Sequence, residues 1–318
     1  MRGQISLSIE ELQWKFGIRE AIKIAKDVGA DAVEISLGGR DYRTENDIYG
    51  KSDDEIIAYY RDIKNYADSI EIKIGQTHGR LRSGFRDKSE NAAVIENARR
   101  DLLATAVLGA NVSVFHYINS YRMGLYTPAE EMRSVNFEIF RRIFGFARQY
   151  DVKIAAETLG SLANPEMTID FYGNIKEFAE MYDRLASIDG NSKYSTVCMD
   201  VGHTNCAAAH GQPSVGNVIR MLGGRISVLH LHDNDGRNDL HHLPFSGTVD
   251  WNDVFDALDE IGYDGNYNIE ISFGYLGSGT EKETAAYAVD KMREFVNKRS
   301  NGESALYGSV LLKKGVVL

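Results

Sequence analysis

Residues 226–236 read ISVLHLHDNDG, and this stretch indicates both the fold and the place of the chemistry. Its first half is apolar and β-branched, as expected of a parallel strand that is covered on both faces. Its second half is a dense run of imidazole, carboxylate and amide groups. Residues 196–203, which read TVCMDVGH, have the same organisation. We therefore expect parallel strands whose carboxyl ends carry polar functional groups.

Eight short runs of this kind alternate with stretches of helical periodicity. The runs are residues 4–8, 32–37, 71–77, 112–117, 152–158, 196–201, 226–232 and 267–273. Eight strand–helix units in 318 residues favour a closed (β/α)8 TIM barrel, an α/β fold, over an open doubly wound sheet.

The barrel is predicted as a single domain over residues 1–298, with extended loops at residues 38–52 and after Tyr117. Residues 299–318 form a predicted C-terminal tail. The tail is apolar enough that we expect it to pack on the barrel or on a partner.

The composition disfavours several classes of protein. Lys and Arg total 36 against 46 Asp and Glu, and the net charge of -10 repels polyanions, so no nucleic-acid partner is expected. No stretch approaches the roughly 20 apolar residues that span a bilayer, and no signal-peptide pattern is present. We expect a cytoplasmic protein without membrane contact. Two cysteines are too few for a disulfide framework, and we expect both to be reduced.

Six consecutive predicted strands end in residues that bind metals or transfer protons. The clearest set takes one residue from each of strands five to eight, namely Glu157, Asp200, His230 and Glu270. Three carboxylates at one mouth would repel one another unless a cation held them. Three oxygen donors and one imidazole suit Mn²⁺, Mg²⁺ or Co²⁺ at least as well as Zn²⁺. The sequence therefore predicts one divalent metal, with Mn²⁺ as the first choice.

The seventh strand offers two histidines, His230 and His232. We expect only one of them to face the barrel interior, and we assign His230 as the ligand, although the strand period alone does not choose between them. In the loop that follows, Asp239 and His241 are two residues apart and could bind a second metal or reach a substrate.

Three further polar residues are predicted to contact a substrate. His203 follows Asp200 by three residues, close enough to bind a hydroxyl or a second metal. His78 ends the third strand, and Arg237 is a candidate for bidentate binding of a polar group. The less polar face of a substrate is expected to meet Trp14, Phe115, Tyr117 and Phe273, unless these belong to the core.

The strand ends resemble the xylose-isomerase-like barrel superfamily, which contains sugar isomerases and epimerases and the apurinic-site endonucleases. The resemblance covers about residues 1–297. It is carried by MDVGH at 199–203, HLHDNDG at 230–236, DLH at 239–241, GTVDW at 247–251 and IGYDG at 261–265. It implies that the four residues of the predicted metal set bind one divalent metal and that the two glutamates also donate and accept protons. It supports His230, since the family ligand stands three residues before an acid; the alternative register, His232 before Asp235, stays open.

Two branches of the superfamily imply other activities. The endonuclease branch uses three zinc ions, whose ligands would correspond to His78, His116, Glu157, Asp200, His203, His230, Asp239, His241 and Glu270. The charge of -10 counts against this branch, as does the sequence FSG at 245–247 where the branch has Gly-Glu-Gly. The chain also resembles catalytic subunits of C-glycoside deglycosidases, which use a divalent metal and a small β-rich partner.

The leading interpretation is a divalent-metal-dependent sugar isomerase or epimerase that transfers a proton through an enediolate, with Glu157, Glu270 and His116 at the reacting centre. The alternative is the catalytic subunit of a C-glycoside deglycosidase, a lyase acting on an oxidised C-glycoside with His116 as base. The endonuclease is a third hypothesis, and a barrel that binds a sugar or a partner without turnover is the non-catalytic alternative. We expect a small sugar or glycoside as substrate and a homo-oligomer, or a hetero-oligomer with a smaller subunit.

Overall fold

The computed structural model describes residues 3–80, 87–160 and 169–301. Within these ranges it contains eight strands, each of which begins within two residues of a predicted run. They are β1 (Ile5–Ser8), β2 (Ala32–Ser36), β3 (Lys73–His78), β4 (Val112–Phe115), β5 (Lys153–Glu157), β6 (Ser195–Asp200), β7 (Ile226–His230) and β8 (Tyr267–Ile269).

Helices separate the strands and cover the outside of the sheet. They are α1 (Glu10–Phe16), α2 (Ile18–Asp27), α3 (Asp53–Ser69), α4 (Lys88–Leu108), α5 (Ser120–Met123), α6 (Ala129–Tyr150), α7 (Ile175–Ala186), α8 (Val201–Ala208), α9 (Val215–Leu222), α10 (Trp251–Glu260) and α11 (Glu281–Ser300). Gly109 ends α4 in the left-handed conformation, at φ 76°. Glycine is favoured there because it lacks the Cβ that makes this conformation costly.

The strands form one parallel sheet in the order β7-β6-β5-β4-β3-β2-β1-β8. A parallel bridge between Leu231 and Ile269 closes the remaining gap. There the backbone N–H of Leu231 donates to the carbonyl of Asn268 at 2.8 Å, and that of Glu270 donates to the carbonyl of Leu231 at 3.1 Å. The predicted (β/α)8 barrel is confirmed, and the carboxyl ends of all eight strands meet at one mouth.

Two apolar layers stabilise the barrel. The larger layer lies between the sheet and the surrounding helices. A smaller cluster fills the interior and consists of Val112, Val114, Ala155, Cys198 and Val228. Because side chains two positions apart on a strand share a face, the interior also receives Glu157, Asp200 and His230 from β5, β6 and β7. The strand period thus brings three of the predicted metal ligands into the mouth of the barrel.

The C-terminal boundary differs slightly from the predicted one. Helix α11 continues to Ser300, two residues past the predicted end of the barrel at 298. Residues 302–318, most of the predicted tail, lie outside the described residues, so the packing of the tail stays a prediction. Among the described helices, none combines the length and the apolar character that crossing a bilayer requires.

Candidate metal centre and its cleft

Four predicted ligands converge at the barrel mouth, and we call Glu157, Asp200, His230 and Glu270 the inner group. Each offers one ligand atom, and these four atoms lie within 4.8 Å of one another. Nδ1 of His230 is 3.3 Å from Glu157 Oε1, 3.7 Å from Asp200 Oδ2 and 3.2 Å from Glu270 Oε2. The side chain of Glu270 is 16% exposed, whereas the other three are at most 1% exposed.

Two further histidines lie against the inner group at Glu157. Nε2–H of His116 donates to Glu157 Oε2 at 2.7 Å, and Nε2–H of His78 donates to the same oxygen at 3.1 Å. Glu157 therefore directs one oxygen toward His230 and the other toward the ends of β3 and β4. This arrangement fixes the orientation of the Glu157 carboxylate.

A second set of donors lies further toward solvent, and we call His203, His232, Asp239 and His241 the outer group. Their ligand atoms also lie within 4.8 Å of one another. His203 Nε2 is 3.2 Å from Asp239 Oδ2, and His241 Nε2 is 3.3 Å from Asp239 Oδ1. The rings of His232 and His241 are stacked with centroids 4.0 Å apart. The predicted proximity of Asp239 and His241 is therefore present.

Asp200 and His203 connect the two groups. Asp200 is the N-cap of α8, and its Oδ1 accepts a hydrogen bond from the backbone N–H of His203 at 2.6 Å. The same oxygen accepts from Nε2–H of His232 at 3.1 Å. The ring Nδ1 of His203 lies 3.2 Å from Glu157 Oε1. A strand that passes directly into a helix thus places one carboxylate within reach of both groups.

Charges of opposite sign dominate the electrostatics of the mouth. Burial alone would raise the pKa of Glu157, but His116 and His230 outweigh it and hold that pKa well below its usual value. Burial would lower the pKa of His78, yet the hydrogen bond to Glu157 raises it to about 9. His241 behaves likewise, since Asp239 raises its pKa to about 10 against the effect of burial. The carboxylates therefore stabilise positive charge on the neighbouring imidazoles.

The inner group fits a divalent cation by its donor chemistry. The carboxylates of Glu157 and Asp200 are buried, that of Glu270 is 16% exposed, and none of the described Lys or Arg side chains is bonded to them. A cation at the point where the four ligand atoms converge would neutralise these carboxylates and accept the imidazole nitrogen. Such a donor set suits Mn²⁺, Mg²⁺, Co²⁺ or Zn²⁺.

A cleft of about 310 Å³ opens beside the two groups. Its lining includes the polar residues Glu270, Asp239 and His241 and the aromatic residues Trp14 and Phe273. The indole of Trp14 is 71% exposed, whereas Phe273 is buried. Of the four residues predicted to meet the less polar face of a substrate, Trp14 and Phe273 line this cleft.

The other predicted contacts are placed differently. Phe115 and Tyr117 are buried in the larger apolar layer, where Tyr117 packs against Phe140 at a centroid distance of 4.9 Å. They belong to the core. Arg237 lies exposed on the loop after β7, where its backbone N–H donates to Asp235 Oδ1. Among the described residues that line the cleft, Arg237 is not included.

The expectation that only one of His230 and His232 faces the interior is wrong. Both side chains are completely buried, and both reach the mouth, His230 in the inner group and His232 in the outer group. The physical reason is the strand period itself, because residues i and i+2 lie on the same face. The two histidines therefore belong to two neighbouring groups of candidate ligands.

Glu34 is a member of this region that the sequence reasoning missed. It lies on β2, is fully buried, and its Oε2 accepts a hydrogen bond from Nε2–H of His230 at 2.8 Å. The available signal was a single charged residue within the buried strand AVEIS at 32–36. Such a residue is rare in a buried strand unless it is paired.

The chain matches a family model described as xylose isomerase-like TIM barrel over residues 22–295. Two similar sequences are uncharacterized proteins. One is y4fM of Sinorhizobium fredii, which is 30% identical over 154 residues, or 48% of this chain and 44% of y4fM. The other is MJ1311 of Methanocaldococcus jannaschii, which is 23% identical over 276 residues, or 81% of this chain and 84% of MJ1311. This chain thus matches less than half the length of y4fM.

Three of the solved structures that share this fold are the following. A D-tagatose 3-epimerase-like protein has 20% identity and a TM-score of 0.65, with 94% of this chain and 100% of that chain covered. D-psicose 3-epimerase in the presence of D-fructose has 16% identity and a TM-score of 0.68, with coverage of 93% and 99%. The IOLI protein with a bound zinc atom has 18% identity and a TM-score of 0.67, with coverage of 94% and 99%.

Proposed function

Because the chain belongs to the xylose isomerase-like TIM barrel family, we propose that it is a divalent-metal-dependent sugar isomerase or epimerase. The observation that carries the proposal is the inner group, where three carboxylates and one imidazole converge beside a cleft of about 310 Å³. Structural neighbours described as D-tagatose 3-epimerase-like and as D-psicose 3-epimerase support a sugar as the substrate class.

In this proposal Glu157, Asp200, His230 and Glu270 hold the cation, and Mn²⁺ is the first choice. When bound, the cation supplies Lewis-acid polarisation of a substrate carbonyl and a template for adjacent oxygen atoms. The buried position of Glu157 and Asp200 excludes water from their side of the site. The exposed edge of Glu270 faces the cleft, where a sugar would lie.

Glu157 and Glu270 exchange protons with the sugar. One carboxylate removes the proton from the carbon beside the carbonyl, which leaves the enediolate of the sugar. The other group, as a carboxylic acid, returns a proton to that carbon from the opposite face, or to the neighbouring carbon while the hydroxyl proton of the enediolate passes from one of its two oxygens to the other. The first outcome is epimerisation and the second is isomerisation. Each cycle leaves the number of protons on the enzyme and substrate unchanged.

His116 and His203 are proposed to hold substrate hydroxyls, with His78 and Arg237 further from the reacting carbon. The side chains of His116 and His203 are each 13% exposed, so their edges reach the mouth while the rings stay packed. His78 is more buried, and its ring nitrogen is already bonded to Glu157. A hydrogen bond that also orients Glu157 makes His116 the histidine closest to the proposed proton transfer.

The test is hydrogen exchange in D₂O with the Mn²⁺-loaded protein and a panel of ketoses and aldoses, followed by NMR. Deuterium should enter the carbon beside the carbonyl of at least one sugar, and a second sugar should form. Glu270→Gln should lose this exchange, whereas Glu138→Gln, on an exposed helical ion pair with Arg141, should retain it. If Glu270→Gln kept the exchange, the assignment of Glu270 would be wrong.

Three other results, from this assay or from companion assays for glycoside cleavage, metal content and DNA nicking, would replace the proposal. Release of an aromatic aglycone from an oxidised C-glycoside, without exchange in free sugars, would favour the lyase and give His116 the role of base. Three tightly bound zinc ions together with nicking at abasic sites would favour the endonuclease. Binding of a sugar without exchange in any substrate would leave a non-catalytic binding protein.

A further inference from the structure

Glu34 is a buried carboxylate that the proposed chemistry does not use. Its Oε2 accepts hydrogen bonds from Nε2–H of Gln76 at 2.5 Å and from Nε2–H of His230 at 2.8 Å. Among the described residues, none donates to its Oε1. A carboxylate that is removed from water costs free energy unless it is paired, so Glu34 is an expensive residue at this position.

The contact between Glu34 and His230 crosses the barrel. β2 and β7 are separated by β1 and β8, and the two residues are 196 positions apart in the chain. Both side chains are completely buried. A hydrogen bond between them therefore lies inside the barrel, where water does not compete for either group.

The two ring nitrogens of His230 face different partners. Nε2 faces Glu34, whereas Nδ1 faces the carboxylates of Glu157 and Glu270 at 3.3 and 3.2 Å. A histidine binds a metal through a ring nitrogen without a proton, and the hydrogen bond at the other nitrogen decides which nitrogen that is. The inner group requires that this nitrogen be Nδ1.

We propose that Glu34 is a positioning residue for the metal centre: it holds the proton of His230 on Nε2 and leaves the Nδ1 lone pair directed at the inner group. The inference rests on the metal-binding part of the proposed function and adds a residue that acts through His230. A negatively charged partner also makes the imidazole a stronger donor than a neutral one does. By comparison, Nδ1–H of His241 in the outer group donates to the backbone carbonyl of Glu270, a neutral acceptor.

The first test measures the Kd for Mn²⁺ by calorimetry in the wild-type protein and in Glu34→Ala, Glu34→Gln and Val33→Ala. Glu34→Ala should bind Mn²⁺ roughly 10–100-fold more weakly, since it removes the partner of a ligand. Glu34→Gln keeps a carbonyl acceptor and should lose less affinity than Glu34→Ala. Val33→Ala is the matched control, because Val33 is the buried residue just before Glu34 on β2. Its side chain packs in the larger apolar layer between the sheet and the helices.

Val33→Ala should lower the midpoint of thermal unfolding and leave the Kd for Mn²⁺ unchanged. Wild-type affinity in Glu34→Ala would overturn the proposal. An equal loss of affinity in Val33→Ala would also overturn it, because general destabilisation would then account for the effect.

A second test reads the tautomer directly and does not depend on a variant that folds. In the Zn²⁺-loaded protein with ¹⁵N-labelled histidine, His230 should show a proton on Nε2 and a metal-bound Nδ1. A proton on Nδ1 would overturn the proposal.

These readouts separate the inference from the proposed function. If the Glu34 variants bind Mn²⁺ more weakly but no sugar exchanges its proton, the proposed sugar chemistry is wrong and the positioning role is supported. If sugars exchange their protons and the Glu34 variants bind Mn²⁺ as tightly as the wild type, only the positioning role is wrong.

Discussion

The inner and outer groups contain similar side chains but are built in different ways. In the inner group, three of four residues lie in strands, and their positions follow from the ladder that pairs Asp200 with His230 and Glu157 with Cys198. In the outer group, Asp239 and His241 lie on the loop after β7 and are 36% and 31% exposed. The barrel therefore prearranges the inner group, whereas a solvent-exposed loop completes the outer group.

Burial also changes how strongly each group should hold a cation. Interactions between charges are stronger where water is excluded, and exposed charges are screened by solvent and salt. The inner group should therefore be the tighter site. His203 and His232 of the outer group contact Asp200 of the inner group. Cation binding by the outer group should therefore depend on whether the inner group holds a cation.

The largest expected effect comes from the two carboxylates assigned to proton transfer. Glu157→Gln and Glu270→Gln should each lower turnover of a confirmed substrate by roughly 10²–10⁴-fold, because each removes a proton-transfer group. Both should also lose bound metal, since each carboxylate belongs to the inner group. The measurements are kcat by NMR and metal content by mass spectrometry. Full turnover in Glu157→Gln would show that the assignment is wrong.

The next effect separates the two groups by metal affinity. His230→Ala should raise the Kd of the tightest Mn²⁺ site by more than the roughly 10–100-fold expected when Glu34, which only contacts a ligand, is removed. His241→Ala should change that Kd by only a few-fold, because His241 is not an inner ligand. Titration of the apo-protein with Mn²⁺ measures both constants. Equal losses in the two variants would remove the distinction between the groups.

The smallest effect concerns the packing beneath the outer group. A Cβ on Gly202 would lie 2.0 Å from Cε1 of His232, whose ring is buried and stacked on His241. Gly202→Ala should lower the free energy of unfolding by about 1–3 kcal/mol through overpacking. Gly145→Ala is the control, since its Cβ meets no atom within 4 Å in α6, and it should raise that free energy by about 0.5–1 kcal/mol. Urea unfolding measures both, and an unchanged value for Gly202→Ala would contradict the packing argument.

The sequence alone predicted the barrel and most of the candidate site. The alternation of apolar runs with helical periods identified all eight strands, and the polar residues at their ends identified the inner group. These signals are local, because a strand shows its period and its terminal residues within a few positions of the chain. The same period places His230 and His232 on one face of the chain, so the prediction that only one of them faces the interior was wrong.

Tertiary structure decided which strand ends face one another across the barrel. Neither the pairing of Glu34 with His230 nor the separation of the histidines into two groups follows from spacing, since both depend on how the sheet closes and how the strands stagger. Closure also decides which face of a strand the helices cover: Phe115 at the end of β4 and Tyr117 beyond it both lie in the larger apolar layer. The sequence determines which residues end each strand. Contacts between residues far apart in sequence are determined by the closure of the sheet, because closure fixes the distances between strands on opposite sides of the barrel.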